Sequence, residues 1–208
     1  MIDNALTLLR DELDAYFTRT GNPTSVVIDN IALWETDNNE NLKDSVVITL
    51  VNVEEEATLK NRTPYKRNPN GTINYEQPPI FINLYLLISA NFSGSRIKYL
   101  SALTRLSSVL QFFQNRRSFT IANSPNTDLG QNGTPEELED LREMKLYVEF
   151  HTLNFEQINH LWGSLGGKQM PFALYKARLV KLQEREPLLD APLIEEIDLI
   201  IKKIPDTI

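Results

Sequence analysis

Few side chains in this sequence can do chemistry, and their spacing keeps them apart. The two histidines, His151 and His160, lie nine positions apart, and neither has the i, i+4 partner with which a helix holds zinc. Both read as surface or interface residues. There is no cysteine, which excludes thiolate nucleophiles, disulfides, iron–sulfur clusters and thiolate zinc sites. Glu54-Glu55-Glu56 is a carboxylate cluster, but successive strand side chains point to opposite faces, so only Glu54 and Glu56 can converge. General acid–base catalysis also needs a pocket that separates two pKa values, and nothing in the sequence predicts one. The cluster reads instead as a solvated strand end or an intersubunit contact with Lys or Arg.

Gly163-Ser164-Leu165-Gly166-Gly167-Lys168 invites comparison with a phosphate-cradling loop. The template requires glycine where Trp162 stands and Ser or Thr where Gln169 stands. Such a loop should also open a helix, so that free amides meet the phosphates, whereas these glycines are placed to end one. No Gly-x-Ser-x-Gly nucleophile elbow occurs. No catalytic residue, metal ligand or cofactor is expected.

The elements that would position these residues follow from periodicity. Ile2, Leu6, Leu9, Leu13, Tyr16 and Phe17 recur at helical spacing and predict a helix over 4–19. Strands are predicted over 25–34, 45–54, 80–92 and 118–121. In 45–54 both faces are apolar, Val46, Ile48 and Leu50 on one and Val47, Val51 and Val53 on the other, so cover is expected on both sides. Between them 57–79 is polar, with four prolines and Asn70-Gly71, and reads as a long functional or disordered loop. Tyr99, Leu103, Leu106, Leu110 and Phe113, with Leu100, Val109 and Phe112 widening the stripe, predict a core helix over 97–114 rather than a coiled-coil seam. A second polar loop is predicted over 122–139. In 141–152, Met144, Leu146, Val148 and Phe150 should face inward, while Lys145, Tyr147, Glu149 and His151 face water or another subunit. A short helix over 154–165 and a strand over 171–183 complete the pattern.

Together these predict an α/β (α+β) fold, a single domain with a mixed, mostly antiparallel sheet flanked by helices. The domain should cover 1–186, with 187–208 as a C-terminal arm. The arm is bounded by prolines and apolar, so it must dock, either on its own domain or on a neighbouring subunit.

Bulk properties narrow the function further. Apolar residues make up 41% and charged residues 24%, ample for a core, while the net charge of −7 argues against a nucleic-acid or anionic-membrane binder. No secretory signal is visible, and the longest apolar run, 80–90, is far shorter than the ~20 residues of a membrane span, so assembly in the cytoplasm without membrane insertion is expected.

Three stretches in order, together with Leu110-Gln111-Phe112-Phe113-Gln114, carry a resemblance. They are 45–61, 78–92 and Asn159-His160-Leu161-Trp162-Gly163-Ser164-Leu165-Gly166-Gly167-Lys168-Gln169-Met170-Pro171 running into Leu174-Tyr175-Lys176-Ala177-Arg178. The sequence resembles the cap-protein family of extracellular contractile injection systems over most of its length. The resemblance implies a non-enzymatic assembly role: a homo-hexameric ring, like a phage tail terminator, at the end of the particle distal to the baseplate. There it would end the inner tube and anchor the last sheath layer, with tube and sheath proteins as partners. The particle would be released, membrane-anchored or cytoplasmic. The nearest alternative is the terminator of a phage or prophage tail, and a remoter one is an enzyme with an unfamiliar site. The family supplies no catalytic residues. The residues expected at subunit contacts are Glu54, Glu56, Trp162, Lys168, Tyr175, Lys176 and, in the arm, Leu193 and Ile197, with a role as a core anchor equally open for Trp162.

Overall fold

The computed structural model describes residues 1–34, 42–56, 65–67, 73–75, 79–92, 95–130, 134–182 and 189–191. Contacts divide the chain into two units, one of 1–60 with 80–182 and one of 61–79 with 183–208.

The larger unit contains helix α1 (Ile2–Arg19), strand β1 (Val26–Ile28), a 3-10 turn (Ile31–Leu33) and strand β2 (Ser45–Glu55). The smaller unit interposes β3 (Tyr65–Arg67) and β4 (Ile73–Tyr75). The larger unit resumes with β5 (Ile80–Asn91), α2 (Arg96–Asn115), β6 (Ser118–Thr120), α3 (Pro135–Glu143), β7 (Lys145–Phe150), α4 (Phe155–Ser164) and β8 (Phe172–Leu182). Its six strands run in the order β1-β2-β5-β8-β7-β6, antiparallel except for β1 beside β2. The fold is therefore α+β, a mixed sheet with helices.

Two apolar clusters hold the sheet, one on each face. On the first face α1, buried through Leu6, Leu9, Leu13 and Phe17, packs with α2 residues Val109, Phe112 and Phe113 over Val46, Ile48, Leu84, Leu86, Val148 and Tyr175. On the second, Trp162 of α4 and Ile31 of the 3-10 turn cover Val47, Leu87 and Leu174. The first half of β2 is thus buried on both faces, as its sequence requires. Past Leu50 a bulge shifts the register, so that Asn52 stands opposite Tyr85 and Val53 opposite Leu84. Opposed residues share a face. The bulge consequently moves Val53 out of the Val47–Val51 row, and it is 44% exposed.

Three further expectations are corrected. α2 buries Ala102, Val109, Phe112 and Phe113, while Tyr99, Leu103 and Leu110 of the predicted core stripe are 39–53% exposed. The apolar stripe is thus only partly covered: Val109, Phe112 and Phe113 are buried and its other flank is exposed. Phe150 is 58% exposed, because β6 pairs with β7 only over 145–147 and nothing described covers the strand end. The predicted loop over 122–139 contains the start of α3, opened by Thr134 and Glu137 in a reciprocal cap with Pro135 in the first turn.

The smaller unit contains a three-stranded antiparallel sheet, β3-β4-β9, where β9 is Leu189–Ala191. The polar stretch over 57–79 therefore contributes two strands. The start of the predicted arm pairs with one of them in the same chain, Ile73 opposite Ala191 and Tyr75 opposite Leu189. Leu193 and Ile197 lie outside the described residues.

Candidate subunit interface

The charged residues singled out in the sequence converge on the second sheet face, beyond the end of its apolar cluster. Antiparallel register places Asn52 opposite Tyr85, Tyr85 opposite Lys176, and Lys176 opposite Glu149, aligning side chains from β2, β5, β8 and β7. The Tyr85 hydroxyl donates to Glu54 Oε2 at 2.6 Å, and Lys176 Nζ lies 3.4 Å from the same oxygen and 5.0 Å from the Tyr85 ring centroid. The hydroxyl of Tyr85, then the Lys176 ammonium, hold the Glu54 carboxyl below the usual carboxylate range. The neighbouring Tyr85 oxygen, then Glu54, raise Lys176 above its ordinary value. His151 packs edge-on against Tyr85 at 5.1 Å.

Glu56 lies deeper. It is 8% exposed, accepts from Asn83 Nδ2 at 3.0 Å, and faces Arg178 Nη2 at 3.4 Å. Arg178 also reaches Glu149 at 3.4 Å. Glu54 and Glu56 thus share a face, as period-two geometry demands, and each meets a cation of its own chain. The result is a sheet surface of alternating charge.

Trp162 and Tyr175, expected at a subunit contact, are core side chains, 4% and 2% exposed. Trp162 lies edge-on to Phe172 at 5.4 Å. Tyr175 occupies the first face beside Phe113, ring centroids 4.5 Å apart, and burial pushes its phenol up to about 12. Lys176, one residue on, points to the opposite face, so the pair could not have served one surface. Lys168 is exposed, its ammonium 5.6 Å from the Trp34 ring centroid.

The glycine turn before Lys168 ends α4. Gly167 N donates to the Trp162 carbonyl at 2.6 Å, and Gly166 and Gly167 have φ of +99° and +81°. At the other end Asn154 and Gln157 cap each other reciprocally. His160 is exposed, 3.8 Å from Glu156, and remote in sequence and role from His151. Among the described residues no group of His, Asp and Glu is placed to hold a metal ion, and no helix is long and apolar enough to cross a membrane.

One buried charge escaped the sequence reading. Glu12, 5% exposed, meets Arg116 at 2.7 Å and accepts from both amide groups of Asn126 at 3.0 Å. Its signal was available: an acid one position before Leu13, inside the buried stripe of α1.

No curated protein sequence matches the chain. Among solved structures, it is similar to the PVC sheath/tube terminator in the extended state of an extracellular contractile injection system, with a TM-score of 0.62 and 14% identity over 99% of this chain and 64% of that one. It is also similar to the anti-feeding prophage cap, a tube-terminating cap, with a TM-score of 0.63 and 13% identity over 97% of this chain and 61% of that one. The chain thus spans somewhat less than two thirds of either relative, and identities this low establish a shared fold. The profile of the Pvc16 N-terminal domain matches residues 5–196, nearly the whole sequence. The mixed sheet, its helices and that match agree: the chain belongs to the Pvc16 N-terminal domain family.

Proposed function

We propose that this protein is the structural cap, or tail terminator, of a contractile injection system. It forms a six-membered ring that ends the inner tube and anchors the last sheath layer at the end distal to the baseplate. The observation that carries the reading is the match of 99% of the chain to a sheath/tube terminator, supported by family membership. The surface agrees with it. A cyclic ring joins two different patches of each subunit head to tail. The apolar flank of α2 formed by Tyr99, Leu103 and Leu110, taken with the exposed Phe150, is one such patch, and the alternating-charge face around Glu54 and Lys176 is an unlike second. Lys168, at the glycine turn, is a further contact.

The role is non-enzymatic: the carboxylates are consumed by cations, and the histidines serve separate surfaces. Residues after Ala191 act as an arm on a neighbouring subunit, with Leu193 and Ile197 as contacts.

Light scattering on the purified chain, with negative-stain images, tests the ring. Six times the 23.9 kDa chain mass, with six-fold projections, is expected, in solution or after addition of tube protein. A chain that stays monomeric with tube protein present overturns the reading.

A further inference from the structure

Among the described residues, the six-stranded sheet has an unfilled strand position. β1 occupies the place beside β2 for three residues, Val26 opposite Val46 to Ile28 opposite Ile48, and the chain then leaves into the 3-10 turn. Thr49 stabilises that departure, its Oγ1 accepting from Ile31 N at 3.1 Å and donating to the Asp29 carbonyl at 2.6 Å. β2 runs on to Glu55, so among the described residues no strand pairs with its outer edge from Leu50 to Glu54. A cavity of about 420 Å³ lies along this edge. Leu6 of α1 walls it on one sheet face and Leu161 and Leu165 of α4 on the other, with Ile28, Thr49 and Val51 between. An unpaired edge between two apolar walls is the geometry of strand addition: main-chain hydrogen bonds give affinity, and alternate side chains enter the walls.

We propose that Leu199-Ile200-Ile201-Lys202-Lys203-Ile204 from a second copy fills this position, parallel to β2 and continuing the line of β1. The inference rests on the ring reading and names the site that receives the arm. Two observations favour this occupant. A strand covered on both faces must be apolar at consecutive positions, and Leu199, Ile200 and Ile201 are. Beyond them, Lys202 and Lys203 run toward the acidic end of β2 only if the strand is parallel; the antiparallel alternative sets the lysines against Ile28 and Leu165.

The absence of cysteine makes a cross-linking test clean. Ser164 lines the cavity and is exposed. A chain carrying Ser164→Cys is mixed with a differently tagged chain carrying Ile200→Cys or, separately, Ile201→Cys. Successive strand side chains face opposite walls, so one of the two should form the mixed-tag disulfide under mild oxidation. Its yield should exceed that of a Thr20→Cys control by about tenfold, because docking raises the effective concentration. If neither forms it in protein that runs at six-fold mass, the strand exchange is wrong and the ring stands. A disulfide that closes only when both cysteines share one chain also overturns the proposal. A native chain that stays monomeric with tube protein defeats the ring reading and this inference with it.

Discussion

Glu12 is an acid set into the buried stripe of α1, where it holds Arg116 and both amide groups of Asn126. Arg116 in turn lies over the Phe119 ring at 4.4 Å and donates to Asn123 and Ser124. A helix charge thereby fixes the segment after α2. Glu12→Ala leaves the guanidinium without its buried partner and should cost about 3–5 kcal/mol in urea unfolding, while Glu12→Leu with Arg116→Met should recover part of that loss. Glu54 behaves differently because it is exposed. Its carboxyl is held below the ordinary 4.5 by Tyr85 and Lys176, so its contribution is complete above 4.5 and is lost as pH falls through the depressed value. Lys176 is raised above 10.5, so its contribution is complete below 10.5 and is lost as pH climbs through the raised value. Carboxyl-carbon NMR should show Glu54 titrating below 4.5, and Tyr85→Phe should move its midpoint back toward that value.

Among the elements, α2 and α4 show how differently a helix can use an apolar sequence. α4 is short and held at both ends, by the Asn154–Gln157 cap and by two glycines at positive φ. No atom crowds a Cβ at Gly166 or Gly167, so Ala at either should cost only the backbone strain, about 1 kcal/mol, read as a lower thermal midpoint. α2 carries more apolar surface than its own domain covers. Leu103→Ser and Leu110→Ser should therefore each cost the isolated subunit only about 1–2 kcal/mol, since both side chains are already 39% exposed. The same changes should weaken the ring, seen as a fall in the fraction at six-fold mass. Unchanged assembly would remove the α2 flank from the interface. The bulge in β2 is an element-scale device of another kind: it turns a strand buried on both faces into one that ends in exposed charge.

At the scale of the larger unit, the sheet and its helices carry two unlike surfaces, the apolar flank of α2 and the alternating-charge face, and the head-to-tail ring we propose needs such a pair. The exposed charge pairs are screened by salt, whereas apolar contacts are not. Raising ionic strength should accordingly loosen contacts made through Glu54 and Lys176 while leaving those made through α2 intact. Mass measured across a salt series, for the native chain and for Lys176→Ala, separates the two.

The sequence alone determined helices α1, α2 and α4, the paired central strands, the absence of thiol chemistry and the family, but not α3, whose cap it nevertheless carries. These depend on local periodicity and on residue type, which neighbours in sequence reveal. It also determined that Glu54 and Glu56 share a face, because strand geometry leaves no alternative. Tertiary structure decided which apolar residues are covered. Of the apolar stripe predicted for α2, packing buries Val109, Phe112 and Phe113 and leaves Tyr99, Leu103 and Leu110 exposed. It placed Trp162 and Tyr175 in cores on opposite sheet faces, and it broke the period of β2 with one extra residue. It paired the start of the C-terminal arm with a strand from a polar stretch more than a hundred residues earlier. Each of these depends on partners distant in sequence, and one residue's periodicity carries no record of where such partners stop.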